Sequence, residues 1–354
     1  MRRWVILIGL LWALTVPAQA QLPVEEEELR ADLPASAAEL MDQIDFETEL
    51  STGITQILEK AAAGADGYWK DALRQAGQMM AVCLLCGILI TLEQDRTAKA
   101  VILAGVLTIC VIGVTILRTL TKDSGGAIKQ LCDYANTLLP AIAMTTASTG
   151  CVTSAAALYT GTVFFVSLLE NLILRLLQPL VFVYLGLACA SAATDEAALQ
   201  RIKELVGWLI SAGLKTVLFV FTAYLTITGA ISGSADSTTV KAAKMTLSGV
   251  VPVVGSMISD ASETLLVSVS LLRNSIGIFG VLAVLGICIL PFLQCAIRYL
   301  ILKAAAAFSG LFAPKQLHVF MGDFSSAVGY LLAMTGSCAL MLVISFVCYI
   351  RVVV

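Results

Sequence analysis

The residues most able to do chemistry in this chain are the few strongly polar side chains that interrupt its long apolar stretches. Between residues 256 and 274 they recur at spacings of three, four and seven, which places them on one face of a helix. This polar stripe consists of Ser256, Ser259, Asp260, Glu263, Ser270 and Asn274. It predicts either an amphipathic helix in the headgroup layer or a helix that lines an aqueous path or a subunit contact inside the membrane.

Two lysines precede the polar stripe. Lys241 and Lys244 are about one helical turn apart and could pair with the two carboxylates of the stripe only if the chain doubles back between them. Gly249 and Pro252 lie in this interval, and either one permits such a reversal. We expect Pro252 and Gly255 to shape the approach to the stripe.

Further polar groups lie upstream within apolar sequence. Lys215 lies near the middle of the run 205–231, where it either reaches along the helix to an interface or belongs to a functional site. Asn171, Arg175 and Gln178 share one helical face. They predict a hairpin turn at the membrane interface or, alternatively, a polar surface within the membrane.

The sequence contains no recognisable enzyme signature. A phosphate-binding loop, a zinc-protease motif, a nucleophile elbow and a dinucleotide fingerprint are all missing. His318 is the only histidine, and Cys83 and Cys86 lie in apolar sequence without the further ligands that a zinc site needs. We therefore predict no catalytic residue, no cofactor site and no metal site.

The composition is that of a membrane protein. Of the 354 residues, 58% are hydrophobic and only 13% are charged, and the mean hydropathy is +0.91. A soluble domain has about 25% charged residues. This composition therefore argues against a soluble enzyme. The net charge of -3 and the lack of a basic stripe also exclude nucleic acid as a partner.

The first 75 residues predict a leader followed by an acidic head. Residues 1–20 have two arginines, a short apolar run and a small-residue cleavage pattern, which are typical of a cleavable signal peptide. Residues 21–75 hold 13 of the 25 acidic residues, so we expect a short acidic head outside the cytoplasm. The loop 93–99, with its two bases, would then be cytoplasmic.

The remaining residues, 76–354, predict a multi-span helical membrane domain, because their apolar runs are too long for strands and a sheet edge is unstable in lipid. The fold class is therefore an all-α polytopic membrane protein whose partner is the lipid bilayer. The predicted spans are 77–92, 100–117, 151–169, 172–193, 205–231, 276–297 and 327–350, with less regular candidates at 130–147, 250–272 and 299–313.

One part of the chain, residues 205–330, resembles the carboxy-terminal membrane half of the stage III sporulation protein AE family. The similarity lies in small, charged and proline residues at particular positions. These are Thr228, Gly229, Ser234, Ala235, Asp236, Lys241, Ala243, Lys244, the run Val251 to Gly255, Asp260, Asn274, Gly277, the run Phe279 to Val281, and Pro291.

The resemblance implies a non-enzymatic subunit, a platform or conduit, of the channel that connects the mother cell with the forespore and is required for forespore development. It implies the outer, mother-cell-derived forespore membrane as the location. The implied partners are other stage III sporulation A-operon proteins, including a separate ATPase, and the forespore protein Q complex. Two alternatives stay open: a passive scaffold, and a secondary transporter of a small solute with a midplane polar site.

Overall fold

The structure, a computed structural model, describes residues 30, 33–42, 44–45, 48–92, 98–148, 152–250 and 255–351. Side chains are described for these residues except 36, 228–250, 255–274 and 350–351. The predicted leader lies outside the described residues. The described part of the chain is helical and contains no strand.

The helices are numbered here in chain order. They are α1 (Ala35–Leu40), α2 (Leu50–Gly64), α3 (Asp66–Leu92), α4 (Ala98–Ser148), α5 (Val152–Leu172), α6 (Gln178–Thr194), α7 (Ala197–Val250), α8 (Gly255–Ser309) and α9 (Lys315–Arg351). A π-helical turn, Ile173–Leu177, joins α5 to α6.

Six helical stretches among the described residues are long and apolar enough to cross a membrane, so the predicted polytopic helical fold is confirmed. They are Asp66–Leu92, Ala98–Ser148, Val152–Thr194, Ala197–Ile227, Ser275–Ser309 and Lys315–Tyr349. Two predicted spans, 151–169 and 172–193, fall in one of these stretches, and 100–117 and 130–147 fall together in α4. The number of crossings stays a prediction at this point.

The hairpin turn predicted around Asn171, Arg175 and Gln178 is wrong, because the helix continues through these residues. Pro179 has no N–H and cannot complete the regular hydrogen-bond ladder. The π-helical turn directly before it takes up this defect without reversing the chain. Gln178 is buried and donates from Nε2 to the Thr121 carbonyl oxygen of α4 at 3.3 Å.

Short connections hold consecutive helices side by side at one end of the bundle. Asp195 adopts a left-handed backbone with φ of 57° and closes α6, and α7 starts two residues later. The loop 310–314 similarly connects α8 to α9. The end of α3 packs on this loop, since a Cβ at Gly87 would overlap the Phe312 carbonyl oxygen. We call this end of the molecule the turn end.

The centre of the bundle is formed by α8 and α9, which pack extensively on each other and on α4. Their contact surfaces are rich in fully buried Phe, Leu and Val, including Phe279, Leu282, Phe324 and Phe346. The other helices cover these two, so few of their side chains lie on the outer surface.

A polar layer crosses the bundle about halfway along its length. Gln294 of α8 donates to the Asp123 carboxylate of α4 at 3.2 Å. The buried Arg298 of α8 donates from Nε to Gln75 Oε1 of α3, also at 3.2 Å. Together with Gln178 on Thr121, these contacts place Gln75 of α3, Thr121 and Asp123 of α4, the start of α6, and Gln294 and Arg298 of α8 at one level.

The acidic head packs on the half of the bundle that is farther from the turn end. Met41 is fully buried against Gly286 of α8, and Leu282 fills the space that a Cβ at Gly53 would need. The Arg30 guanidinium hydrogen-bonds the Ile44 carbonyl oxygen, binds the Asp45 carboxylate at 2.6 Å and lies over the Phe279 ring. The head is therefore docked on α8.

Replacing Met41 with Ala should loosen this docking, because removing a buried methionine side chain costs roughly 2–5 kcal/mol. Lys60 then loses its contact with the Leu40 carbonyl oxygen, which it now bonds at 3.3 Å. We expect faster tryptic cleavage after Lys60 in mild detergent. The exposed Leu58 of the same helix, replaced with Ala, serves as the control and should leave the rate unchanged. An unchanged rate in Met41→Ala would contradict a docked head.

Candidate membrane-embedded polar site

A buried ion pair between α7 and α9 is the strongest polar interaction in the described membrane helices. Lys203 Nζ lies 2.7 Å from Asp323 Oδ2, and the two side chains are only 6% and 15% exposed. Lys203 lies six residues into α7 and Asp323 eight residues into α9, about 9 and 12 Å along their helices. Both charges are thus inside the helical stretches that are apolar enough to cross a membrane.

The second oxygen of the Asp323 carboxylate is bound by a third helix. The Tyr184 hydroxyl of α6 donates to Asp323 Oδ1 at 3.3 Å. The Tyr184 ring also packs edge-on against Tyr330 of α9, with ring centroids 5.3 Å apart. One carboxylate thereby joins α6, α7 and α9, and both of its oxygens have a donor.

A glycine on α7 makes room for this arrangement. Gly207 lies one turn after Lys203, and a Cβ at this position would come within 2.5 Å of the Tyr330 hydroxyl. A larger residue would therefore push α7 away from α9 or displace the tyrosine. The close approach of the two helices keeps the ion pair covered.

Next to the ion pair, an open cleft of about 760 Å³ lies between α7, α8 and α9. Its walls combine aromatic and aliphatic side chains with small residues of α9. Among the lining residues are Ser211, Phe292, Ser326, Gly329, Tyr330 and Gly336. The cleft is mainly apolar and carries no charged side chain on its walls.

The surroundings of the ion pair stabilise it. In a low-dielectric environment, an isolated charge is very costly, whereas a closed pair with an additional hydroxyl donor is tolerated. Ser211 and Ser326 donate to the Gly207 and Gly322 carbonyl oxygens, and His318 binds the Ala306 carbonyl oxygen and Ser309. No group of metal-ligating side chains occurs in the part of the chain that the structure describes.

Of the site residues predicted from the sequence, Lys215 is the one whose side chain the structure describes. It is exposed on α7, and it has no ion-pair partner among the described residues. The other predicted positions lie outside the described side chains, so they stay predictions: Ser256, Ser259, Asp260, Glu263, Ser270, Asn274, Lys241, Lys244, Pro252 and Gly255. Cys83 and Cys86 are buried free thiols.

Sequence reasoning missed Lys203 and Asp323, although one signal was available. Asp323 is the only acidic residue from position 264 to the last residue, and it lies between apolar segments. A lone carboxylate in such a setting indicates a buried partner. Its partner could not be identified from spacing, because Lys203 lies 120 residues away at the polar start of a different helix.

Comparison with known proteins gives a consistent result over nearly the whole chain. The model of the family described as stage III sporulation protein AE matches residues 36–352. The stage III sporulation protein AE of Bacillus subtilis (strain 168) is 23% identical over 273 residues, which cover 76% of this chain and 68% of that protein. No solved structure is significantly similar to the chain.

Breaking the ion pair should destabilise the protein more than removing it. Lys203→Met or Asp323→Leu leaves one buried charge without its partner, which costs about 3–5 kcal/mol, while the double variant leaves none. Thermal unfolding in detergent can be followed with a thiol-reactive dye, because most described cysteines are buried. We expect a lower Tm for each single variant and recovery of much of the loss in the double variant.

The control for this series is Lys215→Met, which removes an exposed lysine from the same helix and should leave the Tm near that of the parent. A double variant whose Tm falls by the sum of the two single losses would show that the charges are not coupled.

Proposed function

Because the chain belongs to the stage III sporulation protein AE family, we propose that it is a non-enzymatic membrane subunit of the channel connecting mother cell and forespore. The family gives a role in sporulation, and the six apolar helical stretches make the chain a multi-pass membrane protein. The proposal adds the channel, the platform or conduit role and the location in the outer forespore membrane.

The proposal rests on the pairing of the two membrane-embedded charges with each other. Lys203 and Asp323 neutralise each other, and Tyr184 takes the remaining carboxylate oxygen. A site that binds a solute needs polar groups aimed into a cavity, and neither Lys203 nor Asp323 lines the neighbouring cleft. The pair instead fixes three helices against one another, as a rigid platform requires.

The position of Lys215 is a second support. In the alternative function, a secondary transporter, Lys215 and the carboxylates Asp260 and Glu263 would form a midplane site. Lys215 is exposed on the outer surface of α7 rather than enclosed by the other described helices. This placement favours the channel subunit over the transporter.

The proposed partners are other stage III sporulation A-operon proteins, including a separate ATPase, and the forespore protein Q complex. The sequence has no phosphate-binding loop, so energy for transport would come from another subunit. On this proposal the polar stripe from Ser256 to Asn274 contacts a partner or an aqueous path. Its carboxylates, Asp260 and Glu263, are the positions whose removal should affect assembly most.

Replacing both Asp260 and Glu263 with Leu in the native host should reduce the number of heat-resistant spores at least tenfold at normal protein level. The reason is that the stripe would lose its charged contacts with water or with a partner. The matched control is Glu196→Leu with Glu204→Leu, two exposed carboxylates at the turn end, and it should sporulate normally. Normal spore formation and normal co-purification of the partners in Asp260→Leu/Glu263→Leu would remove the stripe from the mechanism.

Reconstitution distinguishes the two functions. The purified protein alone in lipid vesicles should give no flux of ions, amino acids or sugars above empty vesicles. Saturable uptake of one of these solutes by the protein alone would support the transporter and contradict a subunit that works only with its partners.

A further inference from the structure

The helices of this bundle are much longer than a bilayer is thick. The α4 helix has 51 residues and measures about 77 Å, whereas the hydrocarbon layer is about 30 Å thick. Its two apolar segments, 100–117 and 130–147, are separated by Arg118, Lys122 and Lys129. A single bilayer can therefore cover only one part of the helix.

Four outer helices carry an exposed base at a similar distance from the turn end. Counting from the turn end, no charged residue lies between positions 92 and 74 of α3, 99 and 118 of α4, or 194 and 175 of α6. In α7 the charge-free interval before Lys215 is shorter, 205–214, because Arg201, Lys203 and Glu204 precede it. The bases that end these intervals are all exposed: Arg74, Arg118, Arg175 and Lys215. We call these four residues the cation ring.

The spacing of the cation ring matches the hydrocarbon thickness. Its members lie 18 to 20 residues from the ends of their helices at Leu92, Ala98, Thr194 and Ala197. This separation is about 27–30 Å of helix. Hydrogen bonds near the ring, from Gln178 to Thr121 and from Arg298 to Gln75, connect this level of α3, α4, α6 and α8. On α7, a Cβ at Gly213 would contact Leu177, which places Lys215 close to the level of Arg175.

The surface between the turn end and the cation ring is apolar. Many large hydrophobic side chains are exposed on it, and a contiguous apolar surface of this kind is unfavourable in water. They include Leu84, Leu85, Ile88, Leu89, Leu103, Leu107, Val111, Val183, Ile202, Leu205, Trp208, Leu209 and Leu300. We call this part the membrane half.

The part of the bundle on the other side of the cation ring also exposes large hydrophobic side chains, such as Phe164 of α5 and Phe219 of α7. Charge distinguishes it from the membrane half, because it carries the acidic head and the exposed Lys122, Lys129 and Asp133 of α4. The α2 helix packs on α8 at Leu282, and exposed carboxylates such as Glu49 and Glu59 project from it. Charged groups of this kind are too costly to place in lipid. The α8 segment under the head is thus already covered by protein and stands outside the hydrocarbon.

From these observations we infer that the bilayer surrounds only the membrane half, and that the cation ring binds the anionic headgroups of the leaflet on the head's side. The guanidinium and ammonium groups supply the charge for phosphate, and the exposed apolar surface below them supplies the acyl-chain contact. The rest of α4, from Arg118 to Ser148, then projects about 45 Å from the membrane.

This placement gives six crossings, one each by α3, α4, α6, α7, α8 and α9. It differs from the predicted span at 151–169, because α5 would lie entirely in the projecting part. The predicted spans 205–231, 276–297 and 327–350 would each lie only partly in the bilayer. Arg118, Lys122 and Lys129 lie within the continuous helix α4. They therefore do not mark a loop between two membrane crossings. With the predicted leader, the projecting part and the head are extracytoplasmic.

The acidic residues near the cation ring are few on the side formed by α6 and α7. Glu170 is half-buried and lies five residues beyond Arg175, and Asp123 is bound to Gln294 on another face. Arg175 and Lys215 therefore offer their charges to lipid on two adjacent helices. In this placement Lys215 reaches along its helix to the membrane interface, which is one of the two alternatives that the sequence leaves open for it.

The native tryptophans can test where the bilayer lies. Trp208 is 11 residues into α7, about 16 Å from the turn end, and Trp69 lies five residues before Arg74. Variants that keep one of them are made by Trp69→Phe or Trp208→Phe, with Trp4→Phe and Trp12→Phe in both. In vesicles of lipids brominated near the acyl-chain end, Trp208 fluorescence should be quenched strongly and Trp69 fluorescence weakly.

The opposite order would overturn the inference. A bilayer around the projecting half would leave Trp208 in water, so it would escape quenching by acyl-chain bromines. Equal quenching of the two tryptophans by these lipids would equally contradict a boundary at the cation ring.

The headgroup preference is measured with a reporter beside the ring. In the variant without native tryptophans, Leu176→Trp places an indole next to Arg175, at a position that is exposed. Brominated phosphatidylglycerol should quench it more than brominated phosphatidylcholine, with a preference of about five-fold for a headgroup held by one base. Arg175→Gln with Lys215→Gln should bring this ratio close to one.

The matched control is Lys99→Gln with Lys303→Gln, which removes two exposed bases at the turn end and should keep the preference. Equal quenching by the two lipids in the parent, or a preference that survives Arg175→Gln/Lys215→Gln, would show that the cation ring does not select anionic headgroups.

Discussion

The thickness of the hydrocarbon layer is the constraint on which the other features of this molecule depend. Each outer helix can hold about 20 residues without a charge before it must leave the lipid. Arg74, Arg118 and Arg175 end charge-free intervals of 17 or 18 residues on three helices, and Lys215 lies at a similar level on α7. The helices continue well beyond that level, so the chain is at once a membrane protein and the base of a projecting helical bundle.

Inside this boundary, two buried charges form one ion pair. Lys203 and Asp323 tie α7 to α9, and the Tyr184 hydroxyl adds α6 to the same contact. The pair is costly to break but neutral as a unit, so it fixes the relative position of three helices without offering a binding site. The proposed channel subunit would need such a rigid arrangement, because its surfaces would have to fit fixed partners.

The sequence predicts the fold class well and the embedded site poorly. Apolar runs and low charge are local signals, which is why the helical membrane architecture follows from composition and run length alone. The sequence also predicts a membrane span at 276–297. In the structure, the head covers much of this segment through contacts such as Met41 on Gly286. Such coverage, like the pairing of Lys203 with Asp323, depends on contacts between distant parts of the chain. The role of the stripe around Asp260 and Glu263 stays a prediction.

The most direct test of the membrane boundary compares two exposed positions on one helix. Leu107 and Met144 of α4 are 51% and 48% exposed and lie on opposite sides of Arg118. Nitroxide labels at Leu107→Cys and Met144→Cys, in a chain whose native cysteines are replaced, can be relaxed by oxygen from the lipid or by a water-soluble nickel complex. The label at position 107 should respond to oxygen and the label at position 144 to nickel. Two labels that both respond to oxygen and resist nickel would contradict a bilayer that ends at the cation ring.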